Sequence, residues 1–99
     1  MDAYVYQASF VCVPCGRDIK ARLGKNSDTG DSNTYPQGPY GEGGGEADSP
    51  QHCDCCNEFL ENPLTNDGYD AVREAITEDA RAGRTDSIAC TIWADFYDA

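Results

Sequence analysis

The chain reads as one small α+β domain spanning residues 1–99, and three features of the sequence carry that expectation. A run of aromatic and branched residues with a period of two opens it. Two stretches with helical periodicity close it, and between them lies a long segment of Gly, Pro, Asp, Ser and Tyr with almost no aliphatic side chains. Ninety-nine residues leave no room for a second hydrophobic core, and even the first is thin. Leu, Ile, Val and Phe together fall below the share, roughly a fifth, under which a strongly charged chain is expected to stay unfolded, and the formal net charge is −11. A domain in this position needs a covalent or metal staple, and six cysteines offer one.

Residues 3–11 set Tyr4, Tyr6, Ala8 and Phe10 against Val5, Gln7, Ser9 and Val11, which predicts a strand. The segment Cys12-Val13-Pro14-Cys15-Gly16 follows as a turn. A short helix over Arg17–Leu23 is then predicted by Ile19 and Leu23 four apart, with Gly24 as its stop. Together these make the first part, 1–23. The second part, 24–50, is a glycine-rich insertion loop in which no regular element is expected. It exceeds the roughly 12 to 15 residues usual for a structureless connection, so it is expected to be either functional or mobile. Within it Tyr35 to Tyr40 are expected to dock their rings on the body and leave Gly43-Gly44-Gly45 as a flexible tip.

The third part, 51–64, carries the second cysteine group, and the fourth, 65–99, is helical. Thr65 is a good N-cap, Leu64 and Tyr69 stand at the positions of a hydrophobic staple, and Val72, Ile76 and Ala80 recur every four residues up to Gly83. That pattern predicts a helix over 66–82. Asp86 or Ser87 caps a last helix whose shared face is Ile88, Ile92 and Phe96, with Ala89, Trp93 and Tyr97 beside it. Alternation through Ile88, Cys90, Ile92, Ala94 and Phe96 is a rival strand pattern, but the i, i+4 series is longer and favours helix.

The start of the chain, Met1 to Tyr6, lacks the basic flank and apolar run of a secretory signal, and no stretch is long enough to span a membrane. The expected location is the cytoplasm, where thiols stay reduced and clustered cysteines bind metal. Two cysteines separated by two residues direct both sulfurs into one tetrahedron if the turn between them is tight. In Cys12-Val13-Pro14-Cys15-Gly16, proline fixes one dihedral and glycine permits a positive φ that turns backbone N–H groups toward the thiolates. The segment Cys53-Asp54-Cys55-Cys56-Asn57 repeats the pattern, with asparagine, which tolerates positive φ, in the glycine's place. The expected ligands are therefore Cys12, Cys15, Cys53 and Cys56, with His52 and Cys55 as alternatives and Cys90 as a small core residue. Two soft thiolate pairs suit zinc, and iron less well. The gap between the pairs exceeds the usual spacing of roughly 15 to 20 residues because of the glycine-rich insertion. Such a site supplies on the order of 10 kcal/mol of folding free energy in other small zinc domains. A whole domain has only about 5 to 15 kcal/mol.

The run from Cys12 to Thr65 resembles a group of small zinc-ribbon-like proteins of bacteria and their phages. The likeness is carried by the C-x2-C-G element leading into a short helix, the Tyr35-Pro36-Gln37-Gly38-Pro39-Tyr40 loop, and the run from His52 and Cys53 through Phe59-Leu60-Glu61-Asn62-Pro63-Leu64-Thr65. It extends weakly to Trp93-Ala94-Asp95-Phe96-Tyr97. Cys55, and Asn57 in place of a glycine, depart from the pattern and leave open which thiols bind. The resemblance implies a zinc-ribbon-like, metal-stabilised fold with two knuckles and two C-terminal helices, together with a phage or mobile-element origin in a bacterial host cell. It implies no activity.

Charge is unevenly distributed. No lysine or arginine lies between Asn26 and Val72, a stretch studded with carboxylates. Such a surface repels phosphate backbones, so direct binding of nucleic acid or of an anionic membrane is disfavoured and the natural partner is basic. Asp67, Asp70, Glu74 and Glu78 fall three or four apart along the long helix and form a candidate partner-binding row. The expected function is a non-enzymatic, acidic, zinc-binding interaction module that engages a basic surface of a nucleic-acid-handling host complex. With a phage origin, that becomes an inhibitor of host defence or DNA mimic, of which an anti-CRISPR protein is one example. The alternative is a thiol–disulfide redox protein using Cys12 and Cys15 beside a helix N-terminus, although the βαβ context of such enzymes is missing. A zinc deaminase is disfavoured because no His-x-Glu element accompanies a Pro-Cys-x-x-Cys.

Overall fold

A computed structural model describes all residues from Met1 to Ala99. The architecture is small α+β, and the chain packs as two compact units. Unit 1 comprises Met1–Gly45 and Gln51–Pro63; unit 2 comprises Glu46–Pro50 and Leu64–Ala99.

In unit 1 the single strand expected over 3–11 is a hairpin of β1 (Ala3–Tyr6) and β2 (Ser9–Cys12). Gln7 and Ala8 between them have φ of 51° and 61°, the left-handed two-residue loop whose twist matches paired strands. Asn-Gly or Asp-Gly normally announces that loop. Gln-Ala does not, and an even-numbered loop leaves the alternation apparently unbroken. The consequence is a change of partners: Tyr4 now pairs with Val11 and Val5 with Phe10. Ala3, Tyr4, Val11 and Cys12 are all buried, so this end of the hairpin is covered on both faces.

The first helix, α1 (Val13–Leu23), starts four residues earlier than expected, with Cys12 as its N-cap and Pro14 in its first turn. The first C-x2-C is therefore a helix entrance, where proline's missing N–H is harmless. Gly16 sits inside α1 without a positive φ. Its role is close approach, since a Cβ there would collide with the base of the Tyr4 ring. Gly24, at φ 81°, ends the helix as its position predicts.

The 24–50 segment has more order than its composition suggests. Gln37–Tyr40 form β3, which joins β1 antiparallel and gives the strand order β2-β1-β3. Tyr35 is buried, and the Lys20 ammonium lies 5.1 Å from the Tyr4 ring centre and 5.7 Å from that of Tyr35. One cation thus ties α1 to both rings. The tip expected to be flexible is pinned: the Gly43 N–H donates to the Met1 carbonyl at 2.5 Å, and Gly44 lies against Phe10 closely enough to exclude a Cβ. Asn62, fully buried, accepts a hydrogen bond from the Gln51 N–H at 2.7 Å and donates to the Pro63 carbonyl at 3.1 Å, fixing both ends of the 51–63 segment.

Unit 2 is built on α2 (Asn66–Arg81). The Thr65 hydroxyl accepts from the Gly68 N–H at 3.0 Å and donates to Asp48 at 2.5 Å, so the cap also binds the Glu46–Pro50 segment. Leu64 and Val72 form the buried side, and Gly83, at φ 78°, follows the helix end. The chain returns through a π-helical turn, Ala89–Trp93, into α3 (Ala94–Tyr97). Here the face shared by Ile88, Ile92 and Phe96 is the outer one. Ala89 and Tyr97 are buried, whereas Ile88, Ile92 and Phe96 remain 42%, 43% and 44% exposed. Small residues account for the choice: Ala89, Cys90 and Ala94 allow close approach to α2, the Cys90 sulfur lies 3.7 Å from the Ile76 carbonyl, and Tyr97 meets Tyr69 edge-on at 5.7 Å. No helix is long and apolar enough to cross a membrane.

Replacing Gly16 by Ala sets a gain of about 1 kcal/mol in helix propensity against about 1 to 3 kcal/mol for forcing the Tyr4 ring out of place. The expected result is a net loss of stability in urea unfolding. Gly41→Ala, at an ordinary φ of −69° with its nearest neighbour 3.9 Å away, should stay within about 0.5 kcal/mol of the parent. Burial, helped by Tyr69, pushes the Tyr97 phenol up to about 12. The fold therefore holds the neutral phenol; its contribution is intact below the ordinary tyrosine value of about 10 and is lost as pH climbs through the folded value. An alkaline titration followed by tyrosinate absorbance should show one phenol ionising late, together with loosening of unit 2.

Candidate metal centre

Four cysteines from two chain segments meet in unit 1. Cys12 ends β2 and caps α1, and Cys15 lies in the first turn of that helix. Cys53 and Cys56 lie in a tight turn closed by the Asn57 N–H donating to the Cys53 carbonyl at 2.8 Å. Asn57 takes φ 65°, the left-handed conformation its place after the second cysteine predicts. The Cys53 N–H donates to the Glu58 carbonyl at 2.7 Å, and the Asp54 N–H to the Phe10 carbonyl at 2.9 Å. This last bond fastens the turn to β2 and so brings the two sulfur pairs together.

The sulfurs of Cys12, Cys15, Cys53 and Cys56 all lie within 4.8 Å of one another, and the Cys12 and Cys56 sulfurs are 3.6 Å apart. A tetrahedron with metal–sulfur bonds of about 2.3 Å has edges of about 3.8 Å. A disulfide would require about 2.05 Å, and all six cysteines are free thiols. The donor set therefore fits a metal ion held by four sulfurs. Cys12 and Cys53 are buried while Cys56 is exposed, so the site opens toward solvent on one side.

The thiols' acidities agree with that fit. Burial raises the Cys12 thiol, and Cys15 is raised by its hydrogen bond to Cys12 and by burial. Burial also pushes Cys53 upward, but backbone N–H groups of Cys12, Cys56 and Cys55 outweigh it and hold this thiol at about 6. The Cys53 thiol is thus the more acidic, and Cys12 and Cys15 resist losing their protons. A bound metal cation favours the thiolate form of its cysteine ligands, and the raised Cys12 and Cys15 thiols would release their protons to it.

No protein-family model matches this chain, and no curated protein or solved structure does either. The nature of the site rests on its donors and their geometry. The four cysteines that the sequence singles out are the four that come together. His52 lies outside the cluster: its Nδ1 is 3.0 Å from the Asn57 carbonyl oxygen and its ring packs 5.2 Å from that of Phe59. Cys55 is exposed and lines a cavity of about 340 Å³ together with Tyr6, Ile19, Arg22 and Leu23. Cys90 belongs to unit 2. Asp67, Asp70, Glu74 and Glu78 are all exposed on α2; Arg73 pairs with Asp70 at 3.4 Å, and Arg81 forms no ion pair. Two supports escape the sequence reading, namely the Asp54–Phe10 backbone bond and the buried Asn62. Neither has a signal in residue type or spacing.

Changing any one of Cys12, Cys15, Cys53 or Cys56 to Ser should lower metal retention by at least about tenfold in a chelator competition followed by native mass spectrometry. Cys55→Ser and Cys90→Ser should keep the parent stoichiometry.

Proposed function

We propose that this chain is a zinc-held, non-enzymatic interaction module whose acidic surface engages a basic surface on a nucleic-acid-handling protein. The four-sulfur cluster carries the metal half of this reading. Four soft thiolates in a tetrahedral arrangement favour zinc over iron only modestly, but they fill every position of the coordination shell. A catalytic zinc keeps one position for water, and here the protein supplies all four donors. The metal's task is then structural, adding to the small apolar core of unit 1.

The partner half rests on charge. The chain carries a formal charge of −11, and a four-thiolate zinc site adds negative charge. On α2, Asp67, Glu74 and Glu78 have no ion-pair partner, and the single pair in the row, Arg73 with Asp70, is highly exposed and contributes little. A rigid row of carboxylates on a helix can compete with a phosphate backbone for a basic groove. The resemblance to small bacterial and phage proteins makes an inhibitor of host defence, of the anti-CRISPR kind, the specific form of the proposal.

One observation favours the redox alternative: Cys12 and Cys15 stand at a helix N-terminus, the setting of thiol–disulfide enzymes, although both thiols here are raised. Against it, both sulfurs lie within reach of Cys53 and Cys56, and a metal-tied thiolate is not free to attack a disulfide. Titration of free thiols distinguishes the two. Protection of four thiols that is released by a chelator supports the metal reading, and a reversible Cys12–Cys15 disulfide in metal-free medium supports the redox one.

Stripping the metal with a strong chelator should abolish the cooperative thermal transition of unit 1, because the on the order of 10 kcal/mol at stake is comparable to the stability of a whole domain. Restoring zinc should restore the transition. Neutralising the row as Asp67→Asn, Asp70→Asn, Glu74→Gln and Glu78→Gln should weaken capture of basic proteins from host lysate and flatten its salt dependence. Unchanged capture would remove the acidic-row reading.

A further inference from the structure

The last helical segment, Ile88 to Tyr97, is apolar on both of its sides. Toward α2 it presents Ala89 and Tyr97, which are buried, and Cys90, Trp93 and Ala94, which are half-buried. Away from α2 it presents Ile88, Ile92 and Phe96, one turn apart and each more than two-fifths exposed, with Thr91 and Asp95 between them. A helix that is apolar all round belongs in an interior. Single exposed aliphatics are ordinary on a surface, but three large ones in a row on one helix make a continuous strip, and such strips mark interaction sites.

Charge indicates what covers the strip. Unit 2 has three cations, Arg73, Arg81 and Arg84, and two of them are already paired, with Asp70 and Asp79. Asp95 lies within the strip and Asp86 and Asp98 lie beyond its ends, and none of these three forms an ion pair. A second copy related by a two-fold axis would bring this acidic strip against itself, which like-charge repulsion opposes. A helix with leucine-like residues on one face and lysine or arginine beside them matches both features.

We propose that the Ile88–Ile92–Phe96 strip is the docking face for a basic amphipathic helix of a partner protein, with Asp86, Asp95 and Asp98 receiving its cations. This rests on the reading of the chain as an acidic module for a basic partner, and it adds the place of contact and the shape of what binds there. The acidic row on α2 attracts at a distance, and the strip supplies the burial that converts attraction into a defined complex.

The test uses the zinc-loaded full chain and three synthetic peptides of about five helical turns. The first places Leu at i, i+3, i+4 and i+7 with Lys elsewhere, the second scrambles the same composition, and the third replaces Lys by Glu. At physiological salt the first should bind about tenfold or more tighter than the second, and the third should not bind. Ile88→Ser with Ile92→Ser leaves the charge unchanged and avoids Phe96, whose ring packs against Tyr97. It should erase the advantage of the first peptide over the second while the amide NMR spectrum elsewhere stays the same. Asp95→Lys should weaken the first peptide in the same way.

Equal binding of the first two peptides overturns the proposal, as does an advantage that survives Ile88→Ser with Ile92→Ser. A parent chain that is dimeric, and that this double substitution makes monomeric, assigns the strip to a second copy and also overturns it. The two readings separate by substitution. If neutralising the α2 row weakens both basic peptides while the strip substitutions have no effect, the acidic module stands and the strip proposal falls. If the strip substitutions act and the row substitutions do not, the row is not what draws the partner.

Discussion

Everything in unit 1 depends on bringing four sulfurs to one point. The apolar material available is small: the buried cluster consists of Ala3, Tyr4, Val11, Ile19 and Leu60 together with Cys12 and Cys53 themselves. Two of the four clustered cysteines are therefore also core residues, and the candidate metal site and the hydrophobic cluster are one structure. That overlap explains why the backbone around the sulfurs is so heavily bonded. The Asp54–Phe10 bond, the Cys53–Glu58 bond and the turn closed at Asn57 hold the second pair in place, and the helix cap holds the first. The cluster joins residues 12–15 to residues 53–56, so a metal ion held there would act as a cross-link between the two segments.

What the sequence revealed follows from how local each signal is. The four-cysteine cluster was legible because C-x2-C is a local pattern with a chemical purpose, and the α2 helix because Thr65, Leu64, Val72 and Gly83 each agree with it. The Gln7–Ala8 hairpin was not legible, since its left-handed turn is adopted by residues that seldom adopt it and is supported from a distance by the Gln7 N–H donating to the Ser32 carbonyl at 2.9 Å. Gly16 is required for a reason other than the one its position after Cys15 suggests. Space beside Tyr4, and not a positive φ, requires it. Strand β3 was hidden because Gln37-Gly38-Pro39-Tyr40 has poor strand propensity and its partner is β1, more than thirty residues earlier.

The last helix teaches a different lesson. Periodicity counts the large apolar residues and assigns them to the interior, and by that count Ile88, Ile92 and Phe96 should be inside. Packing density decides otherwise, because Ala89, Cys90 and Ala94 permit a closer approach to α2 while Trp93 and Tyr97 fill the space that remains. A segment with two apolar sides offers two solutions to a one-dimensional pattern, and only the shape of the neighbour selects between them.

The path of the chain between the units sets an order of events during synthesis. Glu46–Pro50 belongs to unit 2 yet leaves the ribosome before the sulfurs of Cys53 and Cys56. All four clustered cysteines have emerged once residue 56 is out, whereas unit 2 lacks its closing tyrosine until residue 97. The nascent chain can thus assemble its sulfur cluster while Ala47 still waits for Leu64, its bridge partner. Joining residues 12–15 to residues 53–56 early leaves the two pieces of unit 2, Glu46–Pro50 and Leu64–Ala99, separated by a chain segment that is already folded.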